Sequence, residues 1–277
     1  MMISKYFQPQ NLVWLCLAMF LAVSCNPAVQ NEASEAPASE TAGEVMHEYY
    51  ELRVYRIDSL EKQEVVSRYL ETALLPALNR TGIDRVGVFT LQEAGDDFSI
   101  FILIPYPTLD HMTRLSDVLD QDADYQTAAS EYFSASIDDP AYGRIESKLM
   151  KAFDSIPVME LPEQSSTGDA RIFELRTYES HHENAAYRKV QMFDEGETQI
   201  MREAGLGPVF FGEVLVGHDV PNLTYILSST DRETHKKSWE AFLAHPDWVR
   251  MKAMERYKDT VSKITNWFLI PTSYSQI

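Results

Sequence analysis

Two short runs of the chain carry the same polar side chains at the same spacing. Glu51, Arg53 and Tyr55 alternate with Leu52 and Val54, and Glu174, Arg176 and Tyr178 alternate with Leu175 and Thr177. On a β-strand successive side chains point to opposite faces, so each Glu–Arg–Tyr set shares one face. A buried charge is costly unless it is paired or bound to something. One outcome is a structural network that fixes strand register. The other is a polar cradle, in which Arg53 and Arg176 grip an anion while the tyrosines donate hydrogen bonds. These six residues form the candidate ligand-binding set, and a small anionic or aromatic molecule is the partner they would take.

Other chemistry is thinly represented. The histidines are His47, His111, His181, His182, His218, His235 and His245. Only His181 and His182 adjoin, on a loop beside Glu179 and Glu183, where a solvated loop is the simpler reading than a metal site because no third or fourth ligand is evident. His245 precedes Pro246 between Trp239 and Trp248; large rings at helical spacing are usually core. Nucleotide-binding glycine loops, a nucleophile elbow and the His-Glu-x-x-His signature are all missing from the sequence. No catalytic residue, metal ligand or cofactor is assigned.

The elements that must position the six residues form a repeat. Tyr50-Glu51-Leu52-Arg53-Val54-Tyr55 recurs as Phe173-Glu174-Leu175-Arg176-Thr177-Tyr178, a shift of 123 residues. Phe101-Ile102-Leu103 matches Tyr225-Ile226-Leu227 at 124, and Leu115, Val118 and Leu119 match Trp239, Phe242 and Leu243 at that same shift. The chain therefore reads as one unit at 48–156 and a second at 169–277, joined by a linker at 157–168. In the first unit Asp58 and Glu61 form a capping box, and Val65 to Leu78 repeat at helical spacing. Pro76 kinks that helix or marks its last turn. Strands at Glu51–Arg56, Val86–Leu91, Phe98–Ile104 and Ile145–Met150, with helices between, give the β-α-β-β-α-β order of a ferredoxin-like unit. The second unit repeats it.

Phe98 to Ile104 is apolar on both faces, so its sheet is covered on both sides. The cover predicted is the sheet of the other copy, or else that of a second chain in a homo-oligomer. The fold class is therefore α+β: two tandem ferredoxin-like repeats packed sheet to sheet as an α/β barrel with helices outside. Leu52 and Val54 should then meet the helices, which leaves Glu51, Arg53 and Tyr55 facing the space between the sheets.

Residues 1–25 read as an export signal. Lys5 precedes an apolar run from Leu12 to Val23, too short to span a bilayer comfortably, which ends in Leu21-Ala22-Val23-Ser24-Cys25. Small residues directly before a cysteine are similar to a bacterial lipobox, so Cys25 is the expected lipidation site. Residues 26–47, rich in Ala, Ser, Glu and Pro, read as a flexible acidic tether. The expected location is the cell envelope, on its periplasmic or surface side, with the membrane a partner through the lipid. Cys16 leaves with the signal and Cys25 carries lipid, so no thiol is left for catalysis, clusters or disulfides. With 24 Lys and Arg against 42 Asp and Glu, the formal net charge of −18 argues against a nucleic-acid partner.

Glu-Leu-Arg-x-Tyr opening each copy, Gly-Pro-Val-Phe-Phe-Gly at 207–212, Pro-Asn-Leu-Thr-Tyr at 221–225, Trp-x-x-Phe-x-x-His-Pro-x-Trp at 239–248 and the tail at 271–277 are similar to the NIPSNAP family. The resemblance implies the dimeric α/β barrel superfamily, in agreement with the architecture above. Relatives on that barrel include cofactor-independent monooxygenases and haem-binding or haem-degrading enzymes. Fold analogy is a weak warrant for activity. The readings that follow are an exported, membrane-tethered small-molecule-binding or scaffold barrel and, alternatively, an oxygenase or haem-handling enzyme using the barrel cavity.

Overall fold

The computed structural model describes residues 46–277. The expected signal segment, Cys25 and the tether up to residue 45 lie outside them. Among the described residues no helix is long and apolar enough to cross a membrane.

The first copy supplies strands β1 (Tyr49–Arg56), β2 (Gly87–Leu91), β3 (Ile100–Tyr106) and β4 (Arg144–Ala152). The second supplies β5 (Ile172–Glu179), β6 (Gly207–Val216), β7 (Asn222–Ser229) and β8 (Lys263–Pro271). They close one antiparallel barrel in the order β1-β3-β2-β8-β5-β7-β6-β4. Both seams cross between copies: β2 pairs with β8 and β4 with β6. The sheet-to-sheet cover thus comes from within one chain.

Outside the barrel lie α1 (residues 60–80) and α2 (Leu109–Gln121) from the first copy, and α3 (residues 183–203), α4 (Arg232–Ala244) and α5 (Pro246–Lys252) from the second. Ser59, rather than Asp58, caps α1: its Oγ accepts from Lys62 N at 3.3 Å, while Asp58 lies 3.5 Å from Lys62 Nζ. Asp58 is one residue too early for the first free N–H groups. Helix α1 continues past Pro76 to Arg80. A π-helical turn at Leu70–Leu74, closed by Leu75 N–H on the Leu70 carbonyl, widens the helix just before the ring that cannot donate. In α3 the corresponding π turn, Phe193–Glu197, holds no proline but contains Gly196 at φ +153°, where a side chain would be strained and its Cβ would lie 2.9 Å from Met251 Cε.

From the first strand through α2 and α4 the copies correspond at one offset of 123 residues, whereas the last strands, β4 and β8, correspond at 119, Ser147 facing Arg53 as Asn266 faces Arg176. Arg53 faces Ile102 across β1 and β3, and Arg176 faces Tyr225 across β5 and β7. Helices α2 and α4 start behind Thr108 and Asp231 and each run 13 residues. The shift is therefore 123 residues for β7 and α4 as well, and the matches at 124 are corrected by one residue. Because side chains alternate along a strand, that one residue decides the face.

The faces themselves are the reverse of the expectation. Leu52, Val54, Phe101, Leu103, Leu175 and Ile226 pack inside the barrel. Ile100, Ile102, Ile104 and Tyr55 pack under the first copy's helices, and Tyr178 and Tyr225 under the second's. Glu51, Arg53 and Tyr55, and likewise Glu174, Arg176 and Tyr178, therefore lie between sheet and helices. An eight-stranded barrel is only wide enough for its own side chains, and here branched and aromatic residues fill it. The helix layer can offer polar partners. The linker is not loose either: Met159 is buried with the barrel core, its N–H reaches Glu48 Oε2 at 2.8 Å, and Glu160 N donates to the Val209 carbonyl at 2.9 Å.

Candidate functional site

In the first copy the polar triad is closed on itself. Arg53 grips Glu51 through both Nε (2.6 Å) and Nη2 (2.8 Å). Tyr106 OH and Ser147 Oγ complete the carboxylate at 3.0 and 2.8 Å. Burial pushes the Glu51 carboxyl up, but the bonds and charge of Arg53, with Ser147 and Tyr106, hold it below the usual range. The space under the helices is filled by rings. Tyr69 stacks on Tyr132 with centroids 3.9 Å apart, and its hydroxyl meets that of Tyr125 at 2.9 Å.

In the second copy the same carboxylate is held differently. Arg176 gives it one bond, Nη1 to Glu174 Oε1 at 2.8 Å. Asn266 Nδ2 donates to the same oxygen at 2.9 Å, while Trp239 Nε1 donates to Oε2 at 2.8 Å and His235 Nε2 stands 2.7 Å from it. Burial would raise the Glu174 pKa; hydrogen bonding by His235, with the charges of Arg176 and His235 and the Trp239 bond, instead brings it down to about 2. Because three other groups now hold Glu174, the Arg176 guanidinium is partly released. Its Nε is buried with no hydrogen-bond partner, and its plane lies 4.5 Å from the Trp239 ring and 5.4 Å from that of Tyr178.

Arg176 and Tyr178 line a cleft of about 580 Å³ between β5 and the helices. Trp239, Phe242, Trp248 and Tyr257 form its aromatic walls, and Trp248 Nε1 is a second buried donor without a partner. At its floor Lys189 Nζ meets Glu197 Oε2 at 2.5 Å, both almost fully buried, with the ammonium 4.7 Å from the Phe193 ring. Burial raises the Glu197 carboxyl in spite of the pull of Lys189. Tyr225 OH donates to Tyr178 OH at 2.8 Å, and burial raises both phenols.

All six residues singled out from sequence are thus placed, as two triads on opposite halves of the barrel, each under its own helices; Arg176 and Tyr178 of the second line the cleft. The sequence reading missed Lys189, Glu197, Trp239, Trp248 and Asn266. A signal for two of them existed: at the 123-residue offset Lys189 and Glu197 stand where the first copy has Val66 and Leu74. Polar residues replacing core aliphatics in one copy alone mark a departure from packing. His182 caps α3, its Nδ1 accepting from Ala185 N at 3.0 Å, and His245 caps α5 through Asp247 N at 3.2 Å.

A family model described as NIPSNAP matches the sequence twice, at residues 50–153 and 173–276. The two matches cover most of the chain, which therefore belongs to the NIPSNAP family. Among solved structures, the chain is similar to a proposed monooxygenase from Lactobacillus acidophilus (9% identity, 81% of this chain and 94% of that one, TM-score 0.53). A second, from Fusobacterium nucleatum, matches at 8% identity over 81% of this chain and 92% of that one, with TM-score 0.52. At such identity the likeness is one of fold, the same barrel. A NIPSNAP-like domain protein from Burkholderia xenovorans is 21% identical over 38% of this chain and 88% of that one, at TM-score 0.35. No curated protein matches the sequence.

Proposed function

We propose that this NIPSNAP-family chain is a ligand-binding protein, and that the cleft of its second copy takes a small planar aromatic acid. One observation carries the reading: two buried donors, Arg176 Nε and Trp248 Nε1, have no protein partner, and both belong to side chains that line the same cleft. A buried donor left unpaired costs about 1–3 kcal/mol, which a ligand acceptor returns. The cleft volume of about 580 Å³ falls in the size range of small-molecule sites. An anionic group would sit on Arg176 and a ring between Trp239 and Trp248. Glu174, at about 2, stays ionised across ordinary pH. It therefore holds Arg176 in place rather than exchanging protons, which supports binding over turnover.

The test uses quenching of tryptophan emission by 2-naphthoate. Wild type should bind it and ignore the uncharged alcohol of the same ring, and Arg176→Met should weaken binding at least about tenfold, about 1.4 kcal/mol. Equal binding of acid and alcohol, or an Arg176→Met variant that binds as wild type does, would overturn the reading.

The same reading places the protein at a membrane through a lipid on Cys25, supported by the small residues before it and the polar stretch after it. Cys25→Ser should release the protein into the soluble fraction. A variant that stays membrane-bound, with wild type unmodified by mass, would remove the anchor.

A further inference from the structure

The barrel has a second opening, distinct from the cleft, where its inward-facing residues turn from apolar to polar. Along β4 the inward side chains run Ala152, Met150, Lys148, Glu146. The first two lie in the barrel core, and the last two pair across to Leu52 and Val54 of β1. Together with Phe101, Thr177 and Trp267 they line a small chamber of about 160 Å³ at the barrel mouth. At about 30 Å³ per water, that is room for about five water-sized groups.

Lys148 is the unusual member. Glu146 is already taken by Arg56, through Nε at 2.9 Å and Nη2 at 2.7 Å. Thr177 is bonded to Thr224 at 2.9 Å. Among the described residues Lys148 makes no hydrogen bond or ion pair, and Asp219 and His218 from the loop after β6 complete the rim. That loop holds the lysine stem: a Cβ on Gly217 would lie 2.9 Å from Lys148 Cγ and 3.3 Å from its Cα, and φ +155° there suits only glycine. Burial lowers the Lys148 pKa, with Asp219, Glu179 and Glu146 opposing and Lys263 adding to the fall. An amine over an apolar floor, with no carboxylate in direct contact, is the setting in which lysine becomes a nucleophile toward carbonyl carbon.

We propose that Lys148 captures small aliphatic aldehydes as imines inside the barrel mouth. The neutral Nζ adds to the carbonyl carbon, forming the C–N bond. The carbonyl oxygen takes a proton and the C–O bond then breaks. Water leaves, and the nitrogen has lost its two protons to that water, so no oxidant or reductant is needed. The rim charges, with Arg56 neutralised by Glu146 and Asp219 beside them, favour a neutral molecule over an anion, and the chamber fits a chain of about four carbons by volume.

The experiment incubates the full protein with butanal and cyanoborohydride, which reduces any imine to a stable butyl amine, and maps the label by peptide mass. Lys148 should be labelled at least about tenfold faster than the exposed Lys236 and Lys237, because a larger share of a lowered-pKa amine is neutral at a given pH. Leu52→Trp, which fills the chamber while leaving Lys148 in the sequence, should abolish the preference. Labelling of Lys148 no faster than that of Lys236, or a preference that survives Leu52→Trp in a folded protein, would overturn the proposal. Loss of naphthoate binding would leave it standing, since the two sites share no residue.

Discussion

The two copies share one backbone plan, and they part at the same place. Each has a Glu–Arg–Tyr strand face under a helix with a π turn. In the first, Val66, Leu74, Tyr69 and Tyr125 fill the space beneath the helices, and Arg53 spends its bonds on Glu51. In the second, the equivalent positions are Lys189, Glu197, Met192 and Trp248, and they border a cleft into which Arg176 faces with a donor unspent. The triad is therefore a structural device common to both, and the cleft comes from what surrounds it. A buried ion pair is a poor way to stabilise a core. Its presence in the second copy only is what the proposed ligand cleft would account for.

The strongest way to break the comparison is to disturb the ion pair. Glu197→Leu alone leaves the Lys189 ammonium buried without a partner and should cost about 3–5 kcal/mol in urea unfolding. Lys189→Val with Glu197→Leu restores the first copy's residues and should recover most of that loss while abolishing naphthoate binding. A double variant as unstable as the single one would show that the two groups are not coupled.

Next in size is acid sensitivity. Glu174 is depressed from 4.5 to about 2, so its contribution is complete above the ordinary carboxylate value and is lost as pH falls from about 4.5 toward 2. That amounts to an upper figure of about 3 kcal/mol at 1.36 kcal/mol per unit. Glu197 has the opposite sign, since its raised pKa makes neutral pH the costly condition and protonation a relief. Glu174→Gln should therefore flatten the acid limb of a stability–pH curve. An unchanged limb would mean that Glu174 is not the group being protonated.

A smaller effect comes from exchanging the fillers. Tyr69→Met in the first copy removes the ring stacked on Tyr132 and should cost about 1–3 kcal/mol as a partial cavity opens. Met192→Tyr in the second should close the cleft and remove binding, with stability changed by less than about 1.5 kcal/mol. Retained binding in Met192→Tyr would place the ligand elsewhere. The smallest difference is at the caps: Ser59→Ala should cost about 1 kcal/mol, whereas His182→Ser should be near neutral, because serine can accept the same N–H. Thermal unfolding resolves both.

Much of this plan was legible in the sequence. Repeated Glu-Leu-Arg-x-Tyr runs located both copies, and the two-sided apolar run at Phe98–Ile104 required a sheet covered on both faces. Period-2 alternation grouped Glu51, Arg53 and Tyr55 but could not say which side they faced, because Leu52 and Val54 suit a barrel lumen as well as a helix underside. The cleft was illegible for a related reason. Tyr225 was aligned with Phe101, one residue from its true counterpart Ile102, which hid the fact that it lies under α3 beside Tyr178. Nor does any spacing rule announce that four donors from β5, β8 and α4 will converge on Glu174.

The crossed seams also bear on how the molecule is made. Phe89 meets Pro271 across β2 and β8, 182 positions along the chain, whereas Ala152 meets Gly212 across β4 and β6 only 60 positions apart. The entropy of closing a loop rises with its length, so the short seam is the cheaper one to form. The nascent sheets would join first at β4 and β6, like a book opened flat, with the docked linker as its spine. The far edge, which needs almost the whole chain, shuts last. Until it does, Phe101, Leu103, Leu175 and Ile226 stay open to water along a row of unpaired strand groups, and such long-range pairing makes barrel closure the slow, association-prone step in folding.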